Sequence, residues 1–197
     1  MATRAIIYEN NGDPASVLSA VTLPAEPLSG TLINVKVLLS PINPSDTHVV
    51  HGSYAIQPAP RELTVNGEQK VLRLPGNEGL GEITEVGPEV KELKKGDWVL
   101  FIKGLSGTWS SAQVLEERDV LKMDKASGIS AINASTLTVS RPTESWAEVA
   151  DSGNLQVNPV TAHKMLSDFV DLKPGDWIAQ NAANSAVNIL PIRSMCM

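Results

Sequence analysis

The chain has 197 residues, 42% of them hydrophobic, which is enough to bury the core of one full domain and part of another. Its 16 basic residues stand against 22 acidic ones for a net charge of -6, and no stretch gathers Lys and Arg into a patch, which argues against nucleic acid as a partner. The single cysteine, Cys196, rules out an internal disulfide and a thiolate cluster for zinc, so no metal site is expected; no run approaches the roughly 20 apolar residues of a membrane span.

The first ten residues hold Arg4 and Glu9 and lack the pattern of a secretory signal or of an Arg-rich presequence, so the expectation is a cytosolic protein or a presequence absent from this chain. Residues 5–8 read as a first strand. Ile33, Val35 and Val37 alternate with Asn34 and Lys36, which predicts a half-buried strand over 33–39, ended by Pro41. Asn43, Pro44, Ser45 and Asp46 give an Asx-type turn signal, with helix initiation capped by Ser45 or Asp46. Gly and Pro then recur at short intervals, and further short strands are expected at 71–74, 81–86, 98–101 and 111–115. The first 125 residues therefore predict a small β-barrel or sandwich.

After Lys125 the texture changes. Ala162, Met165, Leu166, Phe169 and Val170 at helical spacing predict an amphipathic helix over 161–170, capped near Thr161 behind Pro159. A turn over 172–176 leads into an apolar strand at 177–180. Strand, small polar turn and helix is how a nucleotide-binding βαβ unit opens, so the fold class runs from α+β to α/β.

Eight motifs carry more specific information: PINPSD (41–46), HGSYAIQP (51–58), GNEGLGEITEVG (76–87), KKGDWV (94–99), GTWSS (107–111), VNPVTAHKML (157–166), PGDWI (174–178) and QNAANSAV (180–187). In this order the chain resembles the mitochondrial trans-2-enoyl thioester reductases, the enoyl-acyl-carrier-protein reductases of the medium-chain dehydrogenase/reductase superfamily. The resemblance runs from about Ala5 to Val187, leaving out a polar stretch after Val139. It implies a GroES-like catalytic domain over 1–138 and the start of a Rossmann domain over 158–197, with NADPH and the enoyl chain bound in the cleft between the two domains. Lacking the cysteine ligands, the chain fits only the zinc-free branch. The implied substrate is an enoyl-CoA or an enoyl-acyl-carrier protein, reduced in fatty acid synthesis. The implied assembly is a homodimer and the implied location the mitochondrion.

Reducing an enoyl thioester delivers hydride to C3 and a proton to C2, with negative charge building on the thioester oxygen, so a proton donor and an oxyanion partner are needed. The resemblance places the donor at Tyr54, one of only two tyrosines; the alternative is an ordinary loop aromatic lying against Ile56 and Pro58. It places Asn43 at the nicotinamide end of the cofactor and Asn77 and Glu78 at the cleft floor, where a purely structural loop is the competing reading. Trp109 reads as core or as floor. Asn158, in the NPVTA motif, is implied to bind the cofactor; otherwise it is a helix-initiating Asn. Asn184, Ser185, Ala186 and Val187 are implied to meet the pyrophosphate, where small residues let backbone N–H groups approach an anion. His48, His51 and His163 do not form a metal-binding spacing.

Joining STLT (135–138) to VNPVTAHKML restores the continuous family run, so eighteen residues, 139–156 or equally 140–157, are extra. The expectation is a retained intron read in frame or a genuine surface loop, giving an insert over 139–157. The family also continues beyond Val187, so the expectation is a C-terminally truncated chain, inactive alone. Two other functions compete: a noncatalytic GroES-like module that binds another protein, and a quinone-type or polyketide-associated reductase of the same superfamily.

Overall fold

In the computed structural model the described residues are 2–123 together with 161, 165, 166, 168, 169, 171–173, 175–179 and 181. The chain divides into two compact units, residues 1–136 and 137–197.

In the first unit, strand β1 (Thr3–Ile7) pairs antiparallel with β2 (Ser19–Leu23), and a short helix α1 (Pro14–Val17) lies between them in sequence. Strand β3 (Leu32–Leu39) is followed by helix α2 (Pro44–His51), then by the hairpin β4 (Arg61–Val65) and β5 (Glu68–Leu72). The remaining strands among the described residues are β6 (Leu80–Val86), β7 (Trp98–Phe101), β8 (Ala112–Glu116) and β9 (Val120–Met123). Five strands form one antiparallel sheet in the order β8-β3-β6-β7-β9, with two two-stranded ribbons beside it.

The alternation read in the sequence of β3 is what buries it. Ile33 and Val35 are fully buried and pack with Ile83, Val99, Phe101, Leu115 and Val120, each such side chain stabilising the fold by about 1.5–3 kcal/mol. Gly81 is needed for this packing, since a Cβ there would lie 2.2 Å from Val35 Cγ1. A second cluster of Ala5, Ile7, Leu23, Val65, Leu72 and Leu74 draws on the ribbons and the residues after β5. The β4–β5 hairpin turns at Asn66 and Gly67, with φ of 51° and 84°, the positive pair that suits a two-residue turn between twisted strands.

Two carboxylates organise the connections. Glu117 Oε1 accepts from the backbone N–H groups of Lys91 (3.2 Å), Glu92 (2.9 Å) and Leu93 (3.2 Å), tying the β6–β7 loop to the 3-10 turn Glu117–Asp119. Asp97 Oδ2 accepts from Lys94 N–H at 3.1 Å and pairs with Lys122 at 2.8 Å. The same turn recurs in the second unit, where Asp176 Oδ2 accepts from Lys173 N–H at 2.7 Å and Gly175 has φ of 99°.

Several expectations require correction. Strands β2, β4 and β9 are not among the strands read from the sequence, and the strand expected at 71–74 occupies Glu68–Leu72. The strand expected at 177–180 is absent over 177–179, where Trp177 is 98% exposed; an apolar run becomes a strand only where a neighbouring edge receives its N–H and C=O groups. Helix α2 is capped by Asn43 rather than by Ser45 or Asp46, because Pro44 is pre-set for the first helical position. Thr161, Met165 and Leu166 are helical.

Candidate functional site

Three loops of the first unit are knitted together around residues 40–46, 75–79 and 104–109. Ser40, just past β3, donates from Oγ to Glu78 O at 2.9 Å and pairs with Thr108 Oγ1 at 2.9 Å. Gly76, at φ 100°, offers its carbonyl to the N–H groups of Gly107 (3.0 Å) and Thr108 (3.2 Å). A Cβ on Gly76 would lie 2.6 Å from Thr108 Oγ1 and from Trp109 N, so only glycine permits this approach. Asn77 Oδ1 accepts from Leu105 N–H at 2.7 Å.

Asn43 sits where these loops meet α2. Its Nδ2 donates to Glu78 Oε2 at 2.7 Å, and its backbone N–H donates to Asp46 Oδ2 at 2.8 Å. Glu78 is 4% exposed and Asp46 2%. Burial pushes the Asp46 carboxyl above its ordinary range, opposed by hydrogen bonds from the Asn43 and Asn77 backbones and the Asn43 side chain. Thus α2's first turn is bound to the 75–79 loop by two acidic side chains. Ser45 Oγ and Trp109 Nε1 are buried and meet no partner among the described residues.

Tyr54 lies just beyond the other end of α2. Eight helical residues rise about 12 Å, so Asn43 and Tyr54 stand at opposite ends of one helix and do not meet directly. The helix closes at Gly52, whose φ of 85° is left-handed. Ser53 and Tyr54 both donate backbone N–H to His48 O, at 3.0 and 3.2 Å. His48 Nδ1 and Ser53 Oγ are 2.9 Å apart. Tyr54 is 41% exposed, and Ile56, two residues on, is 65% exposed. The other tyrosine, Tyr8, is fully buried; burial raises its phenol above the usual value, opposed by the charge of Arg73.

The structure thus brings Asn43, Asp46, Asn77 and Glu78 together and sets Tyr54 apart on its own loop. Asn158, Asn184, Ser185, Ala186 and Val187 lie outside the described residues. Two residues went unnoticed in the sequence: Asn11 Nδ2 donates to Val49 O, Val50 O and Gln57 Oε1, and Gln57 Nε2 donates to Tyr54 O. No local signal marks Asn11, whose partners are 38 to 46 residues away.

The chain is similar to proteins of known activity. It is 36% identical over 184 residues to the enoyl-[acyl-carrier-protein] reductase, mitochondrial, of Rattus norvegicus, covering 93% of this chain and 41% of the relative. The corresponding Arabidopsis thaliana protein is 36% identical over 185 residues, covering 94% of this chain and 41% of the relative. The chain therefore spans well under half the length of these two relatives. Among solved structures, the mitochondrial 2-enoyl thioester reductase heterodimer from Candida tropicalis superposes with a TM-score of 0.80 at 32% identity, covering 97% of this chain and 50% of that one. The Etr1p/NADP/crotonyl-CoA complex gives 0.80 at 31%, with the same coverage. A quinone oxidoreductase of Pseudomonas syringae gives 0.67 at 27%, covering 97% and 48%. Residues 30–139, more than half of the chain, match the alcohol dehydrogenase GroES-like domain. The chain belongs to that family, within the medium-chain dehydrogenase/reductase superfamily, and its homologues include the mitochondrial enoyl-acyl-carrier-protein reductases.

Proposed function

We propose that this chain serves the NADPH-dependent reduction of trans-2-enoyl thioesters to saturated acyl thioesters, with Tyr54 as proton donor. The observation that carries the reading is the placement of Tyr54: an exposed phenol on a loop fastened to the end of α2, with an exposed isoleucine two residues on. That suits a group that must reach a substrate carbon beside an alkyl chain.

NADPH, when bound, would supply the hydride for C3 of the enoyl group. Tyr54 Oη then gives its proton to C2 as the enolate collapses, and the exposed phenolate recovers a proton from water. Asn43 is the cofactor candidate among the described residues. Its amide is fixed by Glu78 and its backbone by Asp46, which fits a residue that meets the carboxamide of a nicotinamide ring. Asn158 and the run Asn184, Ser185, Ala186 and Val187 are proposed to hold the rest of the cofactor. The substrate is an enoyl-CoA or enoyl-acyl-carrier protein, the site of action the mitochondrion, and the assembly of the full-length protein a pair of like chains.

This chain alone is expected to be inactive, so the test is crotonyl-CoA-dependent NADPH oxidation by a protein extended to the length of its relatives, beside its Tyr54→Phe variant, with a quinone as competing acceptor. A positioned general acid contributes about 10² to 10⁴ in rate, so the variant is expected to lose that much. Equal rates in the two proteins overturn the role of Tyr54. Reduction of the quinone in preference to crotonyl-CoA favours the quinone-reductase reading instead.

A further inference from the structure

We propose that Asn11 and Gln57 form a relay that positions Tyr54. The proposal rests on the reading of Tyr54 as proton donor, and the contacts that define it are independent of that reading. Asn11 Nδ2 reaches Val49 O at 2.9 Å, Val50 O at 3.1 Å and Gln57 Oε1 at 3.0 Å. Gln57 Nε2 in turn donates to Tyr54 O at 3.0 Å. The Gln57 amide is thereby oriented from both sides: its oxygen faces a donor, its nitrogen faces a carbonyl, and a flipped amide would lose both contacts. The path from the last turn of α2 through Asn11 and Gln57 to Tyr54 closes the segment 52–57 into a ring. Its other arm is the pair of N–H groups that Ser53 and Tyr54 donate to His48 O.

Gly52 makes the arrangement possible in two ways. It takes the left-handed φ of 85° that ends the helix, and a Cβ at that position would lie 2.9 Å from Asn11 Cβ. The backbone of the neighbouring residue adds a further tie, Gly12 N–H to Val50 O at 3.0 Å.

The relay is more than a helix cap. Val49 O already accepts from Gly52 N–H, and Val50 O from Gly12 N–H, so the end of α2 stays satisfied without the Asn11 side chain. Among the described residues, what only Asn11 supplies is a fixed donor for Gln57 Oε1. Asn11 and the Asn11–Gln57 contact are exposed, so global stability depends on them little, whereas the placement of a reacting group depends on them strongly. A misplacement of about 1 Å can cost about a hundredfold in rate.

The two tyrosines provide the test. The full chain labelled with 3-fluorotyrosine gives one fluorine resonance from buried Tyr8 and one from exposed Tyr54. In Asn11→Ala, and in Gln57→Glu, which keeps an acceptor for Asn11 but loses the donor to Tyr54, the Tyr54 line is expected to narrow and move toward free fluorotyrosine while the Tyr8 line stays. In unlabelled protein extended to the length of its relatives, kcat for crotonyl-CoA is expected to fall about tenfold to a hundredfold at little-changed KM. A Tyr54 line unaltered in both variants overturns the relay, as does movement of both tyrosine lines together in both variants. A Tyr54 line that moves without any change in kcat sustains the relay and sinks the reading of Tyr54 as the acid.

Discussion

Asn43 Nδ2 donates to Glu78 Oε2 at 2.7 Å across 35 residues of sequence, joining the first turn of α2 to the glycine-bracketed loop that follows β5. Because Glu78 is almost wholly buried, this contact operates away from bulk water, where hydrogen bonds are strongest. A double-mutant cycle of Asn43→Ala and Glu78→Ala is expected to show a coupling of about 1–2 kcal/mol in denaturant unfolding. A coupling indistinguishable from zero would mean the pair is only adjacent.

Glycines separate backbone strain from crowding. Gly67 and Gly76 both have positive φ, 84° and 100°, yet a Cβ on Gly67 meets nothing within 4 Å while one on Gly76 meets Trp109 N at 2.6 Å. Gly67→Ala is expected to cost about 1–2 kcal/mol, the left-handed penalty alone. Gly76→Ala adds overpacking, for a total of about 2–5 kcal/mol. Thermal unfolding of the two variants should rank them in that order.

Acid stability has two opposing contributions. The Glu117 carboxyl is held below its usual range first by the Glu92 backbone hydrogen bond, then by those of Lys91 and Leu93, against burial. For Asp97, burial acts upward but is outweighed by the Lys122 hydrogen bond, the Lys94 backbone and the charges of both lysines. Their stabilisation is complete above the unfolded carboxylate range, about pH 4, and is lost as pH falls through the lower folded values. Asp46 is shifted upward by burial, so its contribution is present below the unfolded value and is lost as pH rises through the folded one. Glu117→Gln should therefore flatten the fall of Tm below about pH 4, and Asp46→Asn should raise Tm at neutral pH relative to its value in acid. Parallel Tm–pH curves for wild type and both variants would contradict this account.

The Tyr54 phenol is expected to contribute little to the fold because the residue is 41% exposed. Tyr54→Phe is expected to change unfolding free energy by no more than about 0.5 kcal/mol, read by urea unfolding, even where turnover falls by about 10² to 10⁴. A large loss of stability would mark Tyr54 as a packing residue instead.

Strand β3 was legible because Ile33, Val35 and Val37 alternate, and alternation records burial on one face. Tyr54 and Asn43 stand out in the sequence only through their surrounding motifs, since one phenol and one amide carry no period. The contacts that fix them, Glu78 to Asn43 and Asn11 to Gln57, were not legible, for they join segments 35 and 46 residues apart. The Lys-X-Gly-Asp-Trp turns at 94–98 and 173–177 show where the boundary lies. Both form the same carboxylate-to-N–H turn, yet the first runs into paired strand β7 and residues 177–179 do not form a strand. Turn geometry is written locally; a strand also needs an edge to join.

The three N–H groups collected by Glu117 bear on where this protein can be extended by protein engineering. A residue inserted between Gly87 and Lys91 would slide the backbone past the carboxylate and break all three contacts, so that connection is a poor place for an epitope or a fluorophore. In the Asn66–Gly67 turn a Cβ on Gly67 would meet nothing within 4 Å, and no carboxylate there sets a register among the described residues. A tag inserted there lengthens only a hairpin tip.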